Sequence, residues 1–186
     1  MKRLLMLAIL VSSICFSAEV CLAKEFSQKD GAFTIDVLDG WKIETKEEIG
    51  EVFIITPKEK EESGRSLTIK LNRRLDPARG VNSGVPTPKG VKEEDFLDYR
   101  FKQTVAFLKS GSAATVTSQE KILLDGIPAY QIDVILDFTS RGGSIDYSRM
   151  YGLITRDFIY DIRISSWKED RKSGMERMVN SIKIKG

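Results

Sequence analysis

The chain has 186 residues, a nearly balanced charge with 29 Lys and Arg against 27 Asp and Glu, and no histidine. Without imidazole, serine–histidine–aspartate and cysteine–histidine mechanisms are excluded, as are most zinc and transition-metal sites. The net charge of +2 also lacks the basic excess that nucleic-acid binding proteins carry. We therefore expect no nucleic-acid partner and no cofactor.

The first 23 residues have the three-part order of a secretory signal peptide. A basic start precedes the mostly apolar residues 4–16, and the small residues Cys21 and Ala23 fit the pockets of a signal peptidase. The apolar run is shorter than the roughly 20 residues that span a bilayer. We predict cleavage after Ala23. This leaves residues 24–186 as a single globular domain, periplasmic or secreted, with no stable membrane insertion.

Both cysteines, Cys15 and Cys21, fall inside the predicted signal peptide. The exported domain then has no thiol, which excludes thiol catalysis and disulfide bonds. Its stability has to come from a hydrophobic core, which a domain of this length can form.

Strands joined by tight turns are predicted in the first half of the exported domain. Apolar residues there alternate with polar ones, which is the period of a half-buried strand. The predicted strands cover residues 33–37, 41–45, 52–56 and 67–72. Because they follow one another with turn residues between them, we expect an antiparallel meander.

Residues 75–90 form a long segment with three prolines and three glycines, and we predict a loop there. Arginines stand at its entry, and the planar fork of arginine donors matches carboxylates and is enriched at protein interfaces. We predict a partner-binding site made of Arg73, Arg74, Arg79, Asn82 and Lys89. The alternative is a mobile loop with solvated arginines.

A helix is predicted over residues 92–110, where apolar residues recur at helical spacing. Its core-facing stripe is expected to comprise Phe96, Leu97, Phe101, Thr104, Val105, Phe107 and Leu108. Acidic residues lie in its first turn and Lys109 in its last, as the helix dipole prefers.

The second half returns to alternating strands, predicted over residues 116–124, 130–138, 145–153 and 158–164. Ser166 and Glu169 have capping-box spacing, which predicts a helix running on to about residue 181. The architecture expected is α+β, a twisted antiparallel sheet flanked by helices. The predicted core residues are Trp41, Phe101, Tyr130, Ile132, Tyr160 and Ile162.

Four aspartates fall on or beside the strands of the second half: Asp133, Asp137, Asp146 and Asp161. Carboxylates on neighbouring strands form cross-strand ion pairs with arginines such as Arg149, Arg156 or Arg163. They could instead converge as a pair of catalytic carboxylates or as a calcium site.

Several segments resemble the PsbP-like superfamily, which includes photosystem II PsbP, DcrB-type bacterial envelope proteins and a Ran-binding import factor. These segments are Asp39-Gly40-Trp41, residues 124–130, the aromatic strand over residues 158–164 and residues 178–184. The resemblance covers most of residues 32–185. It implies an α/β/α sandwich around a twisted antiparallel sheet and proteins that bind or organise other proteins.

The excluded chemistry and the resemblance together favour an exported, non-catalytic binding or accessory protein of the cell envelope. Its partner is expected to be an envelope protein. The alternative is a carboxylate-based hydrolase or a calcium-binding envelope protein that uses the four aspartates.

Overall fold

A computed structural model describes residues 23–48, 50–59, 64–76, 81, 83–167 and 173–185. The helices there are α1 (Phe96–Ser110), preceded by a short 3-10 turn over Glu93–Asp95, and α2 (Ser173–Asn180). The strands are β1 (Ala23–Ser27), β2 (Phe33–Leu38), β3 (Trp41–Glu48), β4 (Gly50–Pro57), β5 (Arg65–Arg73), β6 (Ala114–Leu124), β7 (Ile127–Asp137), β8 (Ile145–Ile154), β9 (Phe158–Ser166) and β10 (Lys183–Ile184).

The strands form two antiparallel sheets, a seven-stranded sheet of order β3-β4-β5-β9-β8-β7-β6 and a three-stranded sheet of order β1-β2-β10. The large sheet joins two meanders, β3–β5 and β6–β9, through the pairing of β5 with β9, in which Ile69 lies opposite Ile162. The expected α+β architecture, a twisted antiparallel sheet with helices packed on it, is confirmed.

The expected four-strand meander of the first half is wrong at its first strand. β2 pairs with β1 and β10 instead of β3, because its apolar face packs onto the large sheet. The ring of Phe33 lies 5.2 Å from that of Phe53. β1 and β10 were not predicted, since β1 is mostly polar and exposed and β10 has two residues.

The two faces of the large sheet carry separate cores. One face packs against the small sheet and α2 through a large apolar cluster that includes Phe53, Ile69, Tyr160, Ile162, Met175 and Met178. α1 covers the other face over β6–β8, where Leu108 packs with Tyr130, Ile132 and Val134. These faces give the layers of the α/β/α arrangement.

Most of the predicted core is confirmed, with Trp41, Tyr130, Ile132, Tyr160 and Ile162 all buried. Phe101 is only half-buried, although its ring lies 5.1 Å from the ring of Tyr130.

The core position predicted for Phe107 is wrong, because its side chain is 77% exposed. Successive residues of an α-helix are about 100° apart. The rotation that turns the adjacent Leu108 towards the sheet therefore turns Phe107 towards solvent.

The capping box predicted at Ser166 and Glu169 stays a prediction. Ser166 is the last residue of β9, fully buried, and pairs with Arg65 and Tyr147 on the neighbouring strands. Its proposed capping partner, Glu169, lies outside the described residues, as does the predicted signal segment up to residue 22. No helix within the described part of the chain is long and apolar enough to cross a membrane.

Candidate partner-binding site

The arginines at the start of the predicted loop lie at one end of the large sheet. Arg73 is the last residue of β5 and pairs in register with Phe158 of β9. Arg156 lies in the turn between β8 and β9, so the two arginines meet at the same end. A pocket of about 290 Å³ opens there, lined by Asp30, Arg73, Arg74, Asp76, Val81, Arg156, Asp157 and Phe158.

Arg74 holds this end of the sheet together from inside. Its side chain is only 10% exposed, and its guanidinium group lies 5.5 Å from the ring of Phe96. It donates hydrogen bonds to the Thr155 carbonyl at 3.2 Å, to the Thr87 hydroxyl at 3.1 Å and to the Glu93 carboxylate at 2.7 Å. Arg74 therefore links the loop, the β8–β9 turn and the start of α1.

The electrostatics of Glu93 agree with this arrangement. The hydrogen bond from Arg74 lowers the pKa of Glu93, against the smaller opposing effect of its burial. The Thr87 hydroxyl contributes a further hydrogen bond to the same carboxylate. Glu93 is thus held ionised next to the arginine.

The described part of the loop is attached to the strand end. The Val85 amide donates to the Arg73 carbonyl at 2.9 Å, and the Leu75 amide donates to the Val85 carbonyl at 3.0 Å. Gly84 passes so close that a Cβ there would lie 2.4 Å from the Arg73 carbonyl oxygen. Only glycine fits this approach, and its φ of +145° is also one that other residues rarely adopt.

Of the five residues predicted for partner binding, the structure describes three, and their surroundings differ. Arg73 is exposed, with its guanidinium group 5.8 Å from the ring of Phe158, and Lys89 is exposed in a turn near the end of the loop. Arg74 is engaged inside the protein. Arg79 and Asn82 lie outside the described residues.

Arg156 was missed by the sequence analysis as a member of this cluster. It is exposed and lines the pocket beside Arg73. Its place depends on the pairing of β5 with β9, two strands whose paired residues, from Arg73 with Phe158 to Arg65 with Ser166, are far apart in the chain. In the sequence, Arg156 is only a basic residue in a tight turn. Nothing near it in the chain indicates that β5 pairs with β9.

The two exposed arginines of the pocket, Arg73 and Arg156, lie beside three aspartates. Asp76 and Asp157 are engaged within the protein, whereas Asp30 is exposed on the rim. Among the described residues, Arg73 and Arg156 form no ion pair. A carboxylate from outside could accept hydrogen bonds from either guanidinium group.

The four aspartates of the alternative hypothesis do not converge. Asp133 accepts a hydrogen bond from Arg149 at 2.6 Å, Asp146 from Arg163 at 2.7 Å and Asp161 from Arg100 at 2.9 Å. Asp137 instead accepts hydrogen bonds from the backbone amide and hydroxyl of Thr139. The predicted cross-strand ion pairs are confirmed for Asp133 and Asp146, whereas Asp161 pairs with Arg100 of α1.

The Asp133 pair reaches beyond the sheet. Arg149 also donates to Glu176 of α2 at 2.7 Å, so it joins two strands to a helix. Within the described ranges, no group of three acidic side chains is arranged to hold a metal ion.

Three solved structures have a similar fold. Cyanobacterial PsbP (CyanoP) from Synechocystis sp. PCC 6803 matches with a TM-score of 0.58 at 16% identity, over 92% of this chain and 97% of that one. The chain has the PsbP-like fold.

Two other proteins extend the comparison. LpqN of Mycobacterium tuberculosis, involved in cell envelope biogenesis, matches this PsbP-like chain with a TM-score of 0.58 at 9% identity, over 89% of this chain and 91% of that one. The Ran-binding protein Mog1p of Saccharomyces cerevisiae matches with a TM-score of 0.51 at 11% identity, over 88% and 96%. At such identities the likeness concerns the fold. No protein-family model and no curated protein matches the sequence.

Proposed function

We propose that this PsbP-like protein is a non-catalytic binding or accessory protein of the cell envelope, which holds a protein partner at the arginine-lined end of its large sheet. The observation that carries the proposal is the pair Arg73 and Arg156. Both are exposed beside one pocket and form no ion pair among the described residues. Arginines in such positions are enriched at protein interfaces.

The rigid surroundings of the pair support this role. Backbone hydrogen bonds join the loop to the end of β5, and the largely buried Arg74 joins the end of β5 to the β8–β9 turn. These contacts fix the backbone on either side of the pocket. A backbone that is fixed before binding loses less conformational entropy on binding than a mobile one, so more of the contact energy remains as affinity. Recognition by loops on a rigid sheet is a common use of such folds.

The structural neighbours support a binding role by analogy of fold. Mog1p is described as a Ran-binding protein, and LpqN as involved in cell envelope biogenesis. One fold carries different functions, so the specific partner depends on the site of this chain. The predicted signal peptide and the LpqN neighbour support an envelope location.

A capture experiment with matched variants tests the proposal. The purified protein, the double variant Arg73→Ser/Arg156→Ser and the control Arg141→Ser are immobilised and exposed to an envelope extract of the organism that exports it. Arg141 is also exposed, but it lies in the β7–β8 connection at the opposite end of the sheet. Captured proteins are quantified by mass spectrometry.

We expect one protein to be captured in stoichiometric amount by the wild type and by Arg141→Ser, and to be lost with Arg73→Ser/Arg156→Ser. Thermal unfolding of the variants checks that each is folded. Equal capture by all three proteins would contradict the proposed site.

A further inference from the structure

A row of apolar residues crosses the sheet beside the N-terminal end of α1. In the strand register, Leu123 lies opposite Pro128 and Ile154 lies opposite Ile159. Pro128 and Ile154 line one pocket of about 410 Å³ together with Leu97 of α1. Since paired residues share a face of the sheet, Leu123, Pro128, Ile154 and Ile159 form one continuous row, which we call the apolar row.

The apolar row emerges from the core onto the surface. Ile159 is fully buried, Ile154 is half-buried, and Leu123 at the outer strand is 69% exposed. A single exposed leucine is ordinary on a protein surface. Leu123, however, continues a row in which Pro128 and Ile154 line a pocket. Exposed apolar residues that adjoin a pocket are typical of binding surfaces.

The charge beside the apolar row indicates what it binds. Each acidic residue of this pocket has a basic partner. Glu93 accepts a hydrogen bond from Arg74, and the Glu94 carboxylate oxygen Oε1 lies 3.9 Å from Nζ of Lys92. Arg156 lines this pocket as well as the one beside Arg73. It forms no ion pair within the described residues, so the charge left without a partner at the edge of the row is positive.

We infer that the apolar row and Arg156 together bind a short segment of the partner protein that carries large apolar residues next to an acidic one. The apolar side chains of that segment lie on Leu123, Pro128 and Ile154. Its carboxylate accepts hydrogen bonds from the guanidinium group of Arg156. The inference rests on the proposed function, because it names the partner chemistry at the same end of the sheet.

Short synthetic peptides test the inference directly. One peptide carries Leu-Leu-Asp at its centre, the second Leu-Leu-Lys and the third Ser-Ser-Asp, with the flanking residues identical. Each is titrated into the isotope-labelled protein, and the NMR signals of the Leu123 and Ile154 methyl groups and the Arg156 amide are followed. Vesicles with anionic phospholipid form a fourth titration.

We expect the Leu-Leu-Asp peptide to move these signals and the other two peptides to bind at least about tenfold more weakly. The variant Leu123→Ser should lose the response to Leu-Leu-Asp. The control variant Phe107→Ser should keep it, since it also removes an exposed apolar side chain but one near the C-terminal end of α1.

Equal binding of the three peptides would overturn the inference, as would an unchanged response of Leu123→Ser. If the row responds to anionic vesicles and not to peptides, it is a membrane surface and the inference is also overturned. Capture of a partner that depends on Arg73 and Arg156, with no peptide response, removes this inference and leaves the proposed function. A peptide response without arginine-dependent capture removes the proposed function instead.

Discussion

The ring of Tyr130 lies directly over the backbone of Gly152 on the neighbouring strand. The two residues are paired in register, and a Cβ at position 152 would be 2.0 Å from Cζ of the tyrosine. On its other side, the ring packs 5.1 Å from that of Phe101. Burial raises the pKa of the Tyr130 hydroxyl, and the charge of Asp161 adds to this effect. Gly152 therefore makes the space in which α1 packs onto the sheet.

Replacing this glycine tests the packing. Gly152→Ala forces the tyrosine ring or the strand to move, and we expect the free energy of unfolding to fall by about 1–3 kcal/mol, as overpacked cores do. The control Gly111→Ala meets only an ordinary contact at 3.6 Å, so its effect should stay within about 0.5 kcal/mol. Urea unfolding measures both. If Gly152→Ala lowers the free energy of unfolding by the same amount in a Tyr130→Leu background as in the wild type, residues 130 and 152 are not in contact.

Two phenylalanines of α1 should differ in their effect on stability. Phe101 packs on Tyr130, whereas Phe107 is 77% exposed. Truncating a buried phenylalanine costs about 3–5 kcal/mol, and we expect Phe101→Ala to cost about 2–3 kcal/mol because its side chain is only half-buried. Phe107→Ala should change stability by less than about 0.5 kcal/mol. Equal losses in thermal unfolding would mean that the helix is rotated from the position described.

Asp125 should make stability depend on acid pH. Its carboxylate accepts hydrogen bonds from the Ile184 amide at 2.8 Å and the Lys183 ammonium at 3.1 Å. These bonds hold the pKa of Asp125 below its ordinary value of 3.8. A carboxyl whose pKa is lowered by folding adds stability above its unfolded pKa, and this gain is lost as the pH falls through its folded pKa.

The variant Asp125→Asn removes the charge and keeps a residue that tolerates the φ of 51° at this turn. At pH 7 we expect the wild type to be more stable than Asp125→Asn. The difference should shrink below about pH 4 and vanish once the folded pKa is passed. Urea unfolding at a series of pH values measures it. A difference that stays constant down to the lowest pH would show that the carboxylate is not held by these donors.

Local periodicity explains why much of the fold is predictable from sequence. Alternation along β2, β5, β7 and β9 and the helical spacing in α1 are properties of a few adjacent residues, and each element is present in the structure. Alternation does not say which strand lies next to which. The sequence therefore predicts β2 as a strand, but it does not predict that β2 pairs with β1 and β10 in the small sheet.

The candidate site was only partly predictable for the same reason. Arg73 and Arg74 are adjacent in sequence, but their roles differ because one side chain points out and the other is buried against Phe96. The partners of Arg74 include Thr155, which is distant in sequence. Only the pairing of β5 with β9 brings Arg156 beside them.

Export remains a prediction that one experiment decides. Cleavage after Ala23 would leave Lys24 as the first residue. Lys24 lies in β1 and pairs with Val37 of β2. N-terminal sequencing of the protein recovered from the envelope or the medium should therefore begin at Lys24 or within a few residues of it. Recovery of the full-length chain from the cytosol would contradict export.

The affinity of the captured partner for three proteins tests the central claim most directly. Calorimetric titration gives the dissociation constants for the wild type, for Arg73→Ser/Arg156→Ser and for Arg141→Ser under identical salt. We predict at least about tenfold weaker binding for the double variant, since each tenfold loss corresponds to about 1.4 kcal/mol and interface arginines commonly contribute that much. Arg141→Ser should bind like the wild type. Dissociation constants that agree within about twofold for all three proteins, a difference of only about 0.4 kcal/mol, would contradict a partner-binding site at the arginine-lined end of the sheet.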